Sequence, residues 1–378
     1  MTWLSDLKRG LQRFGEQEKP RAERRAAPGL AARYGIKYAT DSAGIKDISS
    51  SGIYLFTEKR LRTGELATLE LREEGEPEQS EDLQISVHAR VAREGEDGIG
   101  LSFLLPPGMN PDLWGVLVRN IVLLTDHQQV AEMFHTLRTI LFLCRICQAE
   151  AEEAIHLLGG QLDAERTANV VRIAIAAEHQ LNTDPEFESM RADPKLVANL
   201  LRDGSWAPDD LTLQLWTGLL VSSCSTDPSD DANRVLAELL VQFTATQAKI
   251  FILACERTLA SAQASGNRVS GPVVLTPKEM VELTGVHDLS RNATDLAYLF
   301  NLGLIEKVFD FTSYHDVEQF DISPTLLGLE LYRHCHGSRE RLAPELVESA
   351  KTHLANFLPA PQPTDVYSPT PFYSAPDS

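Results

Sequence analysis

The sequence has no long hydrophobic run. Its 378 residues contain no uninterrupted apolar stretch that approaches the length of roughly 18 residues that a membrane-spanning helix requires. The N-terminus mixes apolar and charged residues at helical spacing, so it lacks the apolar core of a signal peptide. Its apolar positions are Trp3, Leu4, Leu7, Leu11 and Phe14. We therefore expect a cytoplasmic protein in which residues 1–19 form an amphipathic helix.

Cysteine is scarce and odd in number. The five residues are Cys144, Cys147, Cys224, Cys255 and Cys335. Most of them lie in apolar runs of helical pattern, which favours reduced thiols in a core over a disulfide framework. Cys144 and Cys147 form a Cys-x-x-Cys pair and two histidines flank Cys335, but a zinc site normally shows two paired spacings on loops. We expect neither a metal nor a cofactor.

Basic residues are too few to balance the acidic ones, and the formal net charge is -19. Residues 1–105 carry 16 basic and 18 acidic side chains, so nearly all of the excess, -17, lies in the remainder. An acidic body repels phosphate backbones, and we expect no DNA or RNA binding. Anions are attracted locally at one basic cluster, formed by Arg21, Arg24 and Arg25.

Motifs for catalysis are also missing. The sequence contains no Gly-rich phosphate loop and no His-Glu-x-x-His run. Four histidines lie in helical stretches without a neighbouring nucleophile or carboxylate motif: His127, His135, His156 and His179. We therefore expect that the protein is not an enzyme.

The patterns that are present predict an α+β protein. From Gly35 to Phe103 short alternating runs are separated by Gly-rich turns, which is typical of a small antiparallel β-barrel. The pair Asp97-Gly98 predicts a type I′ hairpin turn. The stretch "LPPGMNPD" then ends the alternation, and we place the boundary of a barrel domain, residues 20–106, at this point.

Helical periodicity follows the barrel and predicts an α-helical domain over residues 107–270. Residues 271–340 then show the order helix, helix, β-ribbon, helix, which is winged-helix-like. Thr276 and Glu279 predict a capping box for the first of these helices, and Gly285 predicts its end. The helix around Ser290 to Asn301 has Arg291 as its only basic residue, which argues against DNA recognition. Residues 341–378 are predicted to form a final helix and a disordered tail rich in Pro and Ser.

The stretch "KDISSSGIYLFTEK", Lys46 to Lys59, places an acid, three serines and a glycine directly before an alternating strand. Asp and Ser side chains bond to nearby backbone amides and Gly tolerates positive φ, so a tight polar turn explains these residues without any ligand. The alternative interpretation is a polar corner that binds a ligand.

The motif Asp47-x-Ser49-x-x-Gly52, together with "GIGLSF" at Gly98 to Phe103 and the basic cluster before the barrel, resembles the PilZ domain, the bacterial receptor module for cyclic di-GMP. The resemblance covers about residues 20–106. It implies that Asp47 and Ser49 hold a guanine edge while arginines of the preceding segment wrap the ligand. The chemistry is suitable, because guanidinium groups form forks with phosphate oxygens or with guanine O6 and N7.

The arginine motif of that family, Arg-x-x-x-Arg, has two possible registers in this sequence. "RAERR" supplies it as Arg21 and Arg25, with Arg24 as a substitute. The following "AAPGLAARY" resembles the approach to the family's first strand, and in that register Arg25 pairs with Gly29, so that one arginine is missing. A third interpretation is that these arginines belong to a solvated basic linker between the N-terminal helix and the barrel and bind no ligand.

Residues 205–336 resemble the abortive-infection alpha family of bacterial helical proteins. The stretches "LWTGLL", "STDPSD", "LGLIEK" and "LLGLEL" carry this resemblance. They are mostly packing residues, so the resemblance implies a shared fold.

Two hypotheses follow. In the first, a cyclic di-GMP effector transmits binding at the barrel to a helical body that meets an unidentified protein partner. In the second, the barrel binds no nucleotide, and the helical body acts in phage defence or as an assembly adaptor. Leu-rich helical faces permit a homodimer in either case.

Overall fold

The computed structural model describes residues 25–27, 29–36, 38, 40–59, 61–73, 84–123, 126–226, 232–265, 272–306 and 319–357. Its contacts divide the chain into two compact units. The first unit comprises Met1–Ala248 and Glu330–Arg341, and the second comprises Lys249–Leu329 and Leu342–Ser378. The predicted N-terminal helix and the predicted tail beyond residue 357 lie outside the described residues.

Six strands form a closed antiparallel barrel in the order β1-β2-β3-β6-β5-β4. They are β1 (Leu30–Gly35), β2 (Asp41–Ser49), β3 (Gly52–Phe56), β4 (Leu66–Glu73), β5 (Gln84–Glu94) and β6 (Gly98–Leu104). Strand β5 shows why the sequence folds this way, since Ile85, Val87, Ala89 and Val91 are buried while the residues between them are exposed. The predicted barrel is confirmed.

The hairpin between β5 and β6 exists, but its predicted type I′ turn is wrong. That turn needs positive φ at both central residues, and none of Gly95 to Gly98 has it. The conformation is set by tertiary contacts instead. Asp97 accepts hydrogen bonds from Lys46 and Tyr54, and a Cβ on Gly98 would lie 1.8 Å from the carbonyl oxygen of Leu55.

Twelve α-helices follow the barrel in the described part of the chain. They are α1 (Pro111–Leu123), α2 (His127–Cys147), α3 (Glu152–His156), α4 (Ala164–Asn182), α5 (Pro194–Gly204), α6 (Asp210–Ser223), α7 (Ala232–Leu240), α8 (Ala245–Ser265), α9 (Pro277–Thr284), α10 (Leu289–Asn301), α11 (Leu326–His334) and α12 (Pro344–Phe357). None of these described helices combines the length and the apolar character needed to cross a bilayer.

Aspartates begin many of the helices. In the first unit Asp126, Asp163, Asp193 and Asp209 each accept a hydrogen bond from a backbone N–H of the first turn. A carboxylate at this position satisfies an unpaired donor and interacts favourably with the positive end of the helix dipole. Some of the excess acidic residues therefore stabilise the N-termini of helices.

The second unit confirms the predicted capping box at Thr276 and Glu279, and Gly285 ends α9 with φ 72°. Two short strands, β7 (Val274–Leu275) and β8 (Phe320–Asp321), pair antiparallel, and Ile305 bridges Pro324. The predicted β-ribbon falls largely on residues 307–318, outside the described residues. The winged-helix interpretation therefore stays a prediction.

All five cysteines are free and buried. Burial raises the pKa of Cys144 and of Cys224 to about 12, and it raises the pKa of Cys147 and Cys335 as well. The thiolate is the reactive form, so a buried thiol with a raised pKa reacts slowly. The Cys-x-x-Cys pair is thus a buried part of the helical core, and we expect its thiols to be unreactive.

We predict that an aromatic disulfide reagent at pH 8 modifies none of these thiols within minutes in the native full-length chain. After denaturation the same reagent should titrate all five. The absorbance of the released thiolate measures both states. Rapid reaction of one or more thiols under native conditions would contradict the burial described above.

Candidate functional site

The motif predicted to bind a ligand forms the β2–β3 hairpin. Asp47 and Ser49 end β2, residues Ser50 and Ser51 make the turn, and Gly52 begins β3. The register shifts between Ile45 and Asp47, which marks a β-bulge at Lys46. Bulges re-aim side chains. Asp47 and Ser49 are two residues apart in regular strand, so they lie on one face of the barrel wall.

The serines of the motif hold the turn together. Ser49 Oγ donates to the carbonyl oxygen of Gly52 at 3.2 Å and lies 3.2 Å from Ser51 Oγ. Ser49 is only 8% exposed. The structural interpretation as a polar turn therefore accounts for the two serines.

Gly52 is required by packing between strands. A Cβ at this position would lie 2.1 Å from the carbonyl oxygen of Leu101 in β6. No side chain fits without moving the β6 backbone, since such a contact is far below van der Waals distance. The glycine of the motif thus has a structural role whether or not a ligand binds.

The segment that precedes the barrel runs alongside this motif. The Arg25 N–H donates to the carbonyl oxygen of Ile48 at 3.0 Å, and the Ile48 N–H donates to the carbonyl oxygen of Arg25 at 2.9 Å. Ile48 is the residue between Asp47 and Ser49, so the pairing is antiparallel at the centre of the motif. Arg21 and Arg24 lie outside the described residues.

The structure therefore brings the backbone of Arg25 next to Asp47 and Ser49, two residues that sequence reasoning grouped with it, while Gly52 lies on the other side of β2, in β3. Backbone pairing fixes the position of the Arg25 Cα, and the side chain starts from there. The pairing does not choose between the two registers of the arginine motif. The role of these residues in binding a ligand stays a prediction.

A second polar cluster lies beside the motif. Lys46 Nζ is 2.7 Å from Asp97 Oδ2, and the Tyr54 hydroxyl donates to Asp97 Oδ1 at 2.7 Å. These hydrogen bonds, that of Lys46 first, hold the pKa of Asp97 below its usual range. The bond to Asp97 raises the pKa of Tyr54 and that of Lys46. Sequence reasoning missed this cluster, because its members come from two strands and a turn.

Two cations approach the same aromatic ring. Lys46 Nζ lies 5.1 Å from the ring centroids of Tyr54 and Phe56, and the guanidinium carbon of Arg93 lies 5.4 Å from that of Tyr54. Tyr54 is the cross-strand partner of Asp47. The motif is therefore bordered by an aromatic and cationic surface, a combination suited to planar or anionic groups.

Helix α1 packs on the turn of the motif. A Cβ on Gly115 would lie 3.0 Å from Ser50 Cβ. One residue earlier, the fully buried Trp114 meets Phe103 of β6 edge to face, with ring centroids 5.1 Å apart. The motif and the first helix of the body are thus in direct contact within the first unit.

A separate cleft of about 1290 Å³ lies between β4 and β5 on one side and α2 and α4 on the other. On its helical wall Arg138 Nε donates to Glu178 Oε2 at 2.5 Å, and Arg138 Nη2 is 3.1 Å from His179 Nε2. His179, which the sequence analysis noted, thus belongs to a largely buried ion-pair cluster. Within the described residues no group of three or more His, Cys, Asp or Glu is arranged to hold a metal ion.

Comparison with known families matches two parts of the chain. The PilZ domain model matches residues 21–112, which include the whole barrel. The model named abortive infection alpha matches residues 166–335. Both resemblances seen in the sequence are confirmed. Among curated proteins, none matches the chain.

We predict that Gly52→Ala loosens the barrel, because its Cβ must displace the Leu101 carbonyl. Overpacking of this kind costs about 1–3 kcal/mol. Amides of β3 and β6 should then exchange about 5 to 160 times faster in hydrogen-exchange mass spectrometry of the full chain. Gly29→Ala is the matched control, since a Cβ there meets nothing within 4 Å. Equal exchange in both variants would contradict the packing argument.

Proposed function

We propose that the protein is a bacterial signalling effector that binds cyclic di-GMP at Arg25, Asp47 and Ser49, with Arg21 and Arg24 contributing from the preceding segment. The observation that carries this proposal is the antiparallel pairing of Arg25 with Ile48, which fixes the Arg25 backbone beside β2 at the polar corner. The match to the PilZ domain supports it. Guanidinium groups bind the phosphates, and Asp47 accepts hydrogen bonds from guanine N–H groups.

The charge distribution supports the same assignment. Residues 1–105 have a net charge of only -2 within a chain of -19. A doubly anionic dinucleotide therefore meets less repulsion at the barrel than at the helical body. The helical body is the part of the chain suited to a protein partner, and neither matching family is a family of enzymes.

The contact between the motif and α1 provides a path by which ligand binding at the barrel affects the helical body. Ser50 lies in the turn that connects the two strands of the motif, and Gly115 of α1 packs on it. A ligand that engages Ser49 changes the hydrogen bonds of this turn. It therefore favours one arrangement of the turn and of the helix that rests on it, which is what coupling between a ligand site and a partner surface requires.

A second candidate function is an interaction or phage-defence protein in which the barrel binds no nucleotide. The abortive infection alpha match favours it, because that match covers more residues than the PilZ match. In this alternative the polar turn is purely structural, as the Ser49 and Ser51 contacts permit.

Titration calorimetry of the full-length protein with cyclic di-GMP tests the proposal. We expect saturable binding, and we expect Asp47→Ala and Arg25→Ala each to weaken it at least about tenfold, or about 1.4 kcal/mol. Asp41→Ala is the matched control, because Asp41 lies at the far end of β2 and pairs with Lys59. Absence of heat with the unmodified chain would reject the proposal and leave the second candidate.

Hydrogen exchange with and without ligand tests transmission. We expect saturating cyclic di-GMP to slow amide exchange in β2 and β3 and also in α1, because α1 rests on the motif turn. The Asp47→Ala variant at the same ligand concentration serves as the control and should show no change. Protection confined to the barrel would contradict transmission through α1 while leaving ligand binding intact.

A further inference from the structure

The barrel register extends the face that carries Asp47 and Ser49 across three further strands. Side chains alternate between the two sides of a strand, so every second cross-strand row points outward. The row between the two outward rows is buried and consists of Ile48, Ile53, Leu101 and Val91. The outward rows are Asp47, Tyr54, Gly100 and Arg93, and Ser49, Gly52, Ser102 and Arg90.

Both outward rows have the same kinds of residue at their two ends. Each begins with a polar residue of the motif on β2 and ends with an arginine on β5. Between these ends lie small residues on β6, Gly100 and Ser102. Three strand spacings separate the ends, or about 14 Å. This outer surface of the barrel therefore has an acidic and hydroxyl wall on β2 and a guanidinium wall on β5.

The Arg93 side chain lies on this surface. A Cβ on Gly100 would lie 2.9 Å from Arg93 Cγ and 3.1 Å from Arg93 Nε, so the Arg93 side chain runs across the glycine. Its guanidinium carbon ends 5.4 Å from the Tyr54 ring centroid. The bulge between Val91 and Arg93 produces this orientation, because it shifts the register of β5 by one residue.

We propose that Arg90 and Arg93 form the second wall of the ligand site and bind the half of the dinucleotide that lies farther from Asp47. This inference rests on the proposed function. A cyclic dinucleotide presents two phosphates and two purines, and one polar corner contacts only one half of it. Planar guanidinium groups suit the other half, since they form forks with phosphate oxygens and stack on purine rings.

The position of Arg93 also explains why arginine suits this place. Its guanidinium carbon lies 5.4 Å from the Tyr54 ring centroid, and a planar guanidinium can stack on a purine in the same region. A lysine keeps the charge but offers neither a plane nor a fork. We therefore expect affinity to depend on the shape of the cation as well as on its charge.

Calorimetry with cyclic di-GMP on full-length variants tests the inference. We expect Arg93→Gln and Arg90→Gln each to weaken binding at least about fivefold, and Arg93→Lys to recover only part of the loss. The Gln substitution keeps much of the aliphatic stem over Gly100. Arg291→Gln is the matched control, because it removes an exposed guanidinium from α10 in the second unit. Unchanged hydrogen exchange in β5 and β6 confirms that each variant keeps the barrel.

The outcomes separate this inference from the function on which it rests. If the unmodified chain binds no cyclic di-GMP, the proposed function fails and the second wall fails with it. If the chain binds, and Asp47→Ala weakens binding while Arg90→Gln and Arg93→Gln stay within twofold of the unmodified chain, only the second wall is overturned. Full recovery in Arg93→Lys would overturn the role of the guanidinium plane.

Discussion

The backbone pairing of Arg25 with Ile48 is the constraint on which the candidate site depends. Two hydrogen bonds attach the segment before the barrel to the middle of the Asp47–Ser49 pair. Without these bonds the basic segment and the polar corner would be close in sequence, but nothing would hold them together in space. With them the first arginine in the described chain is held one strand spacing from β2, about 5 Å. Preorganisation of this kind lowers the entropy lost when a ligand binds.

Register decides what else the site contains. A slip of one residue in any strand would send its outward side chains into the core. The close approach of Gly52 to the Leu101 carbonyl and of Gly98 to the Leu55 carbonyl helps to fix β3 against β6. The bulges at Lys46 and after Val91 then shift two strands locally. Side chains from β2, β3 and β5 meet on one face for these reasons.

The sequence allowed the barrel, the helical body, the capping box at Thr276 and the position of the motif before a strand to be predicted, because each depends on local periodicity or local hydrogen bonding. It predicted a turn at Asp97 of the wrong type, and it did not predict the pair between Lys46 and Asp97. Those depend on which strands become neighbours, and period-two alternation says that a strand exists without saying what lies across from it. Arg90 and Arg93 escaped notice for the same reason, since only the register places them in the cross-strand rows of Ser49 and Asp47.

In the proposed function, ligand affinity and transmission to α1 depend on different residues of the motif. Arginine and aspartate interact with a dinucleotide through charge-assisted hydrogen bonds, the stronger kind. Ser49 already donates to the Gly52 carbonyl, so binding a base exchanges one neutral hydrogen bond for another, with a small net gain of about 1 kcal/mol at most. That exchange nevertheless alters the turn on which Gly115 rests. Under the proposed function we therefore expect Ser49 to contribute little to ligand affinity and more to the coupling between the ligand site and α1.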